Sequence, residues 1–170
     1  VPMGADTSLD PDKIDSNPFC ARYGLSPDQY LVYIGSMNPL RNLEFMFEVL
    51  SKARESIPSV KLVLVGGSDE SRRERLQSLA KQYGVSDATV FTGWVTETDL
   101  NRGVAAAAIG LSPLPPNNVF RTNSPTKVLE YLNLKVPAVT TRTPEQIKMV
   151  EPSGAGTAVD YTPEAFADAV

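Results

Sequence analysis

From Tyr30 onward, apolar runs of strand length alternate with longer amphipathic stretches, and that alternation leaves few folds open. Tyr30–Gly35, Lys61–Val65, Ala88–Thr92, Ala107–Leu114, Val136–Thr140 and Gly156–Asp160 read as strands. Between the first two, Leu43, Phe45, Met46, Val49 and Leu50 recur at helical spacing until Pro58. A charged stretch from Asp69 to Tyr83 carries Leu76 and Leu79 on its inner side, and Gly84 stops it. Thr96 caps a short helix with acidic residues in its first turn, Pro144–Val150 makes another, and Thr162 starts a last one. Leu62–Val65 is continuously apolar, as a strand buried on both faces should be, so the pattern predicts an α/β fold on a parallel sheet.

A chain of 170 residues holds one compact domain, and 42% hydrophobic with 21% charged residues is ordinary for a globular protein. No apolar run approaches the ~18 residues of a membrane-spanning helix, and no signal-peptide pattern opens the chain. A net charge of −4 argues against a general nucleic-acid binder, so any anion site must be local. Cys20 is the single cysteine and reads as a packing residue; there is no internal disulfide and no cysteine-rich metal site. The absence of histidine removes Ser-His-Asp and Cys-His chemistry from this chain. Residues 1–29, rich in Pro, Asp and Ser, read as an inter-domain connector, and residues 30–170 as the domain itself. The last helix is cut after about two turns by the chain end at Val170, which reads as a domain excised from a longer protein.

The segment Asn123–Tyr131 points to chemistry. Ser124 suits a helix N-cap and Pro125 the first helical position, after which the N–H groups of Thr126 and Lys127 face outward. With the helix dipole and the Lys127 ammonium, they would hold a phosphate, while Glu130, on roughly the same face, could accept hydrogen bonds from ribose hydroxyls. The plainer alternative is a capped surface helix with a Lys127–Glu130 pair. In an open parallel sheet, ligands bind beyond the carboxyl ends of the strands, and the residues there form a set. It comprises Gly35, Ser36 and Arg41 after the first strand, Gly66 and Gly67 after the second, and Gly93, Trp94 and Val95 after the third. Arg41 and Lys127 could neutralise a diphosphate from two sides. Trp94 could stack on a base or simply pack.

On these residues the chain resembles the C-terminal, nucleotide-sugar-binding domain of the two-domain GT-B glycosyltransferases, particularly those of family 4. Val1–Asp6 is similar to the family's Pro-Asn-Gly-Val-Asp linker, with Met3 in the Asn position. Gly35 through Arg41 matches its Gly-Arg-x-x-x-x-Lys loop, with Arg41 for lysine and Ser36 for arginine, so one of two phosphate clamps is absent. Leu62–Gly67 and Phe91–Val95 match the next two strand ends, the second of which contacts the base through backbone near Val95. Of the family's two glutamates separated by seven residues, Glu130 matches the ribose-binding second, and Thr122 stands where the first would be. Ser124–Lys127 resembles a subgroup in which this helix start takes over diphosphate binding.

The resemblance implies a Rossmann-like sheet of about six strands flanked by helices, ordered 3-2-1-4-5-6, the C-terminal half of a GT-B fold. It implies donor binding in an enzyme that moves a sugar from a UDP- or GDP-linked donor to an acceptor, with retention of configuration. Arg41 and Lys127 would stabilise the leaving diphosphate. It further implies no cofactor and no metal, an N-terminal acceptor domain absent from this chain, a cytoplasmic location, and room for peripheral membrane association of the full-length enzyme. The isolated fragment would be inactive. A GT-B nucleotide-sugar epimerase and a non-catalytic nucleotide-binding module are the alternatives.

Overall fold

In the computed structural model, residues 9–117, 120 and 125–170 are described; Val1–Asp6, Asn118, Thr122, Asn123 and Ser124, on which parts of the sequence reading rest, lie outside them. Helix α1 (Asn17–Tyr23) leads into strand β1 (Tyr30–Ile34), followed by α2 (Glu44–Ser56), β2 (Lys61–Val65), α3 (Glu70–Gln82) and β3 (Thr89–Gly93). The second half runs α4 (Glu97–Ala105), β4 (Ile109–Ser112), α5 (Thr126–Asn133), β5 (Ala138–Thr141), α6 (Pro144–Val150), β6 (Gly156–Val159) and α7 (Pro163–Asp168). The six strands form one parallel sheet in the order β3-β2-β1-β4-β5-β6. This is the α/β Rossmann-like arrangement that the sequence pattern and the resemblance predicted.

The period-2 alternation of the strands sends neighbouring side chains to opposite faces and so builds two cores. Leu31, Tyr33, Leu62, Leu64, Leu111 and Val139 join the apolar faces of α2 and α3. Tyr30, Val32, Ile34, Val63, Val65 and Ala138 join α1, α5 and α6 on the other side. The last helix, α7, docks on α2: Phe45 stacks on Tyr161 at 4.1 Å and meets Phe166 edge-on at 5.3 Å. Asp69 and Thr96 cap α3 and α4 by accepting from the N–H groups of Arg72 and Asp99.

Two local differences from the sequence reading have physical causes. β4 is shorter than Ala107–Leu114, because Ala107 closes a turn onto Val104 and Pro113 has no N–H to continue the ladder. Within the stretch read as connector, α1 is a packed helix: Phe19 is fully buried, and a Cβ on Gly103 of α4 would come within 2.5 Å of its ring. Seven residues are too few for a periodicity to register. Among the described residues, no helix is long and apolar enough to cross a membrane.

Candidate functional site

The sheet changes direction of winding between β1 and β4, and the site lies beyond the strand ends at that switch. One buried side chain fixes the geometry there. The Tyr131 hydroxyl of α5 accepts from the Ile34 N–H at 3.0 Å and donates to the Leu111 carbonyl at 3.2 Å. It therefore bridges β1 and β4 where their own pairing, last seen at Val32–Gly110, has ended. With Tyr131 seated, the first two turns of the same helix project Lys127 and Glu130 over the strand ends.

The loop after β1 is tied from below. Arg72, buried in α3, donates through Nε to the Met37 carbonyl at 2.9 Å and forms a two-pronged ion pair with Glu44 at 2.8 and 3.2 Å. Ser36 accepts from the Asn38 N–H, and the Asn38 side chain caps the short 3-10 turn Pro39–Arg41 that carries Arg41. At the neighbouring strand end, a Cβ on Gly66 would fall 2.1 Å from the Gly35 carbonyl oxygen, and Gly66 sits at φ +143°. Only glycine lets these two turns lie together.

These elements enclose a cavity of about 360 Å³, within the size range of small-molecule sites. Its floor and walls include Gly35, Ser36 and Arg41 after β1 and Gly66 after β2. Trp94 and Val95 after β3, and Thr126, Lys127 and Glu130 of α5, complete the residues that the sequence reading placed there. Lys127 is 8% exposed, yet among the described residues its ammonium donates no hydrogen bond and joins no ion pair. The centroid of the Tyr33 ring lies 3.7 Å from Nζ. Burial, and then the nearby Arg41 charge, bring the ammonium down to about 7, against a smaller opposing pull from Glu130. Burial also pushes the Glu130 carboxyl upward, with Lys127 opposing. Among the described residues Arg41 likewise joins no ion pair, and it lies over the Phe120 ring, its Cζ 4.8 Å from the centroid. Among the described residues, no three His, Cys, Asp or Glu side chains gather to hold a metal ion.

A model of the family described as glycosyl transferases group 1 matches residues 28–170. The chain belongs to the group 1 glycosyl transferases. Over 96 residues it is 31% identical to the human GDP-Man:Man(3)GlcNAc(2)-PP-Dol alpha-1,2-mannosyltransferase, which is 51% of this chain and 20% of that protein. WaaG, a glycosyltransferase involved in lipopolysaccharide biosynthesis, superposes with a TM-score of 0.78 at 20% identity, covering 99% of this chain and 44% of WaaG. Anabaena HepE in complex with UDP-glucose gives 0.71 at 17% identity, covering 97% and 44%. The chain thus spans less than half the length of these solved glycosyltransferases.

In this glycosyl transferase domain, a few sequence-predicted residues sit differently from expectation. Pro125 is the N-cap of α5 rather than its first helical residue: its ψ of 107° is extended, and its carbonyl accepts from Val128. Ser124 lies outside the described residues. Gly67 and Gly93 line an adjoining hollow with Trp94 instead of the main cavity. Trp94 is 84% exposed, and its indole lies so close to Gly67 that a Cβ there would meet Nε1 at 2.0 Å. The plain Lys127–Glu130 helix pair does not form within 4.0 Å; Nζ lies against the Tyr33 ring instead. Sequence reasoning missed Tyr33, Glu97, Leu100 and Phe120. Tyr33 lies within the first predicted strand, where an aromatic residue carries no signal of a site, and its hydroxyl donates to the Ser36 carbonyl at the loop.

Proposed function

We propose that this domain binds the nucleoside-diphosphate sugar donor of a glycosyltransferase and stabilises the diphosphate as it leaves. The carrying observation is the pair of cations, Arg41 and Lys127, that line one cavity and, among the described residues, join no ion pair, although the Glu97 and Glu130 carboxylates line the same cavity. Buried charges are ordinarily paired, and a site that keeps two unpaired cations is complementary to a dianion. The N–H groups of Thr126 and Lys127, in the first turn of α5, add donors of the same sign. Glu130 then lies one turn along, placed to accept from ribose hydroxyls, with Val95 and the exposed face of Trp94 on the base side.

As the bond between the sugar's anomeric carbon and the diphosphate oxygen breaks, negative charge grows on that oxygen. Arg41, Lys127 and the helix N–H groups hold it. HepE was crystallised with UDP-glucose, and the human relative is named for a GDP-linked donor, so both bases belong to the reading. Retention of configuration, independence from metal, an N-terminal acceptor domain completing the cleft, inactivity of residues 1–170 alone and a cytoplasmic location form part of the same proposal, as does peripheral membrane association. Calorimetry with UDP, GDP, uridine and guanosine tests it. Arg41→Ala and Lys127→Ala each weaken the diphosphates by about one to two decades and leave the nucleosides nearly unchanged. Equal losses for nucleoside and diphosphate refute the assignment.

A further inference from the structure

We propose that Tyr33 and Phe120 are positioning residues: their ring faces hold the Lys127 and Arg41 cations in place for a diphosphate without using up the cations' hydrogen-bond donors. The inference rests on reading the cavity as a diphosphate site. It explains a feature that reading leaves open, namely how two buried or half-buried like charges stay ordered in one cavity with, among the described residues, no carboxylate in ion-pair contact with either.

The geometry is the same twice. Lys127 Nζ sits 3.7 Å from the Tyr33 centroid, and Arg41 Cζ sits 4.8 Å from the Phe120 centroid, both within cation–π range. Both rings are buried, at 2% and 4% exposure, so each is a fixed surface. Tyr33 is clamped within β1 and through its hydroxyl to the Ser36 carbonyl. Phe120 is held through its N–H, which donates to the Asn117 carbonyl and side chain. Burial pushes the Tyr33 phenol up to about 12, so its ring stays neutral and the contact with Lys127 is to the π face.

A carboxylate would hold either cation more firmly, but it would occupy the N–H groups that a phosphate needs, and substrate would have to displace it. A ring face attracts the charge through its quadrupole and accepts no conventional hydrogen bond, so the donors remain available. The space around Nζ is also limited: a Cβ on Gly35 would lie 3.3 Å from it. The ammonium is therefore confined between the Gly35 backbone and the Tyr33 ring, on the cavity wall.

Fluorinated phenylalanines test this because added fluorine drains the ring quadrupole while nearly preserving shape. In the full-length protein, Tyr33→Phe serves as the reference at one site and wild-type Phe120 at the other, followed by mono-, di- and trifluorophenylalanine. Calorimetry uses UDP and GDP as probes, with uridine and guanosine as controls. Diphosphate affinity is expected to fall stepwise with fluorine count, reaching about three- to tenfold at each ring, with nucleoside affinity constant. Fluorination at residue 33 should also lower the pH at which diphosphate binding weakens, because the Lys127 ammonium loses a stabilising contact while Arg41, Glu130 and Glu97, the other charged side chains that line the cavity among the described residues, are unchanged. Lys127→Met separates the two levels of inference. If Lys127→Met loses the preference for diphosphate over nucleoside but the fluorine series is flat, the cavity assignment stands and the ring's role is overturned. If Lys127→Met keeps that preference, the cavity assignment fails and the proposal with it.

Discussion

Lys127→Met should make the protein more stable while removing much of its diphosphate binding. The ammonium is 8% exposed and has no hydrogen-bond or ion-pair partner among the described residues, so the fold carries a desolvated charge. A lysine that ordinarily titrates at 10.5 and here titrates at about 7 bounds the penalty at ~5 kcal/mol, at ~1.4 kcal/mol per pH unit. The Tyr33 ring is already part of that balance; relaxation and water access leave ~2 kcal/mol as the expected gain, which methionine collects by filling the same volume with an apolar chain.

The sign with pH follows from linkage. Below pH 7 both the folded and unfolded chains hold the proton, and the full penalty is present. Between about 7 and 10.5 the unfolded chain holds a proton that the folded chain has given up, so wild-type stability rises with pH through this window relative to a chain lacking the group. The advantage of Lys127→Met is therefore largest at pH 6 to 7 and gone by about pH 10.5. Urea denaturation of both proteins at pH 6.5, 8 and 9.5, with m-values compared, measures it. A variant no more stable than wild type, or a gain that does not shrink as pH rises, would refute the picture of an unpaired buried ammonium held for a ligand.

Three further outcomes are expected. Glu130→Gln should lower UDP or GDP affinity about tenfold and erase most of the discrimination between ribose and 2′-deoxyribose forms, since an amide accepts on one oxygen only; retained discrimination in calorimetry would return Glu130 to a structural role. Tyr131→Phe removes a hydroxyl that serves two buried backbone groups, so stability should fall by ~1–3 kcal/mol in urea titration, with UDP or GDP binding weakened through displacement of α5. Gly66→Ala should fail to reach wild-type stability even at low temperature, because its Cβ would stand 2.1 Å from the Gly35 carbonyl at a φ of +143°; a variant with unchanged Tm contradicts the close packing of the two turns.

The fold was legible because its signals are local and repeated. β2 begins and ends where the apolar run Lys61–Val65 does, and α6 where Pro144 and Val150 place it. The cap at Thr96 is a single-residue signal that the structure uses as written, and the charged helix begins just after Asp69, where its stretch was read to start. Residues 17–23 were illegible for the opposite reason: α1 is held by tertiary burial of Phe19 against Gly103, a contact 84 positions away in sequence, which no window of local pattern contains. Pro125 misled by one position, since proline suits both the N-cap's extended backbone and the first helical residue, and composition does not choose between them.

The site divides along the same line. Arg41, Lys127 and Glu130 could be assembled from sequence because each follows a strand end or helix start whose place in a doubly wound sheet is fixed by topology. Tyr33 and Phe120 could not, because an aromatic residue in an apolar strand and another in a proline-rich loop both carry a strong prior for plain core packing. Tyr33 does pack as core, in the apolar cluster beneath α2, and Phe120 is buried. What sequence does not reveal is that each ring also lies against a cation. A residue type chosen for the core can thus acquire a second duty at no change in identity, and the only trace it leaves is an ammonium or guanidinium nearby with no acid to match. Searching such sheets for unpaired cations at strand ends, and then for the aromatic residue beneath each, turns that trace into a criterion that Lys127 with Tyr33 and Arg41 with Phe120 both satisfy.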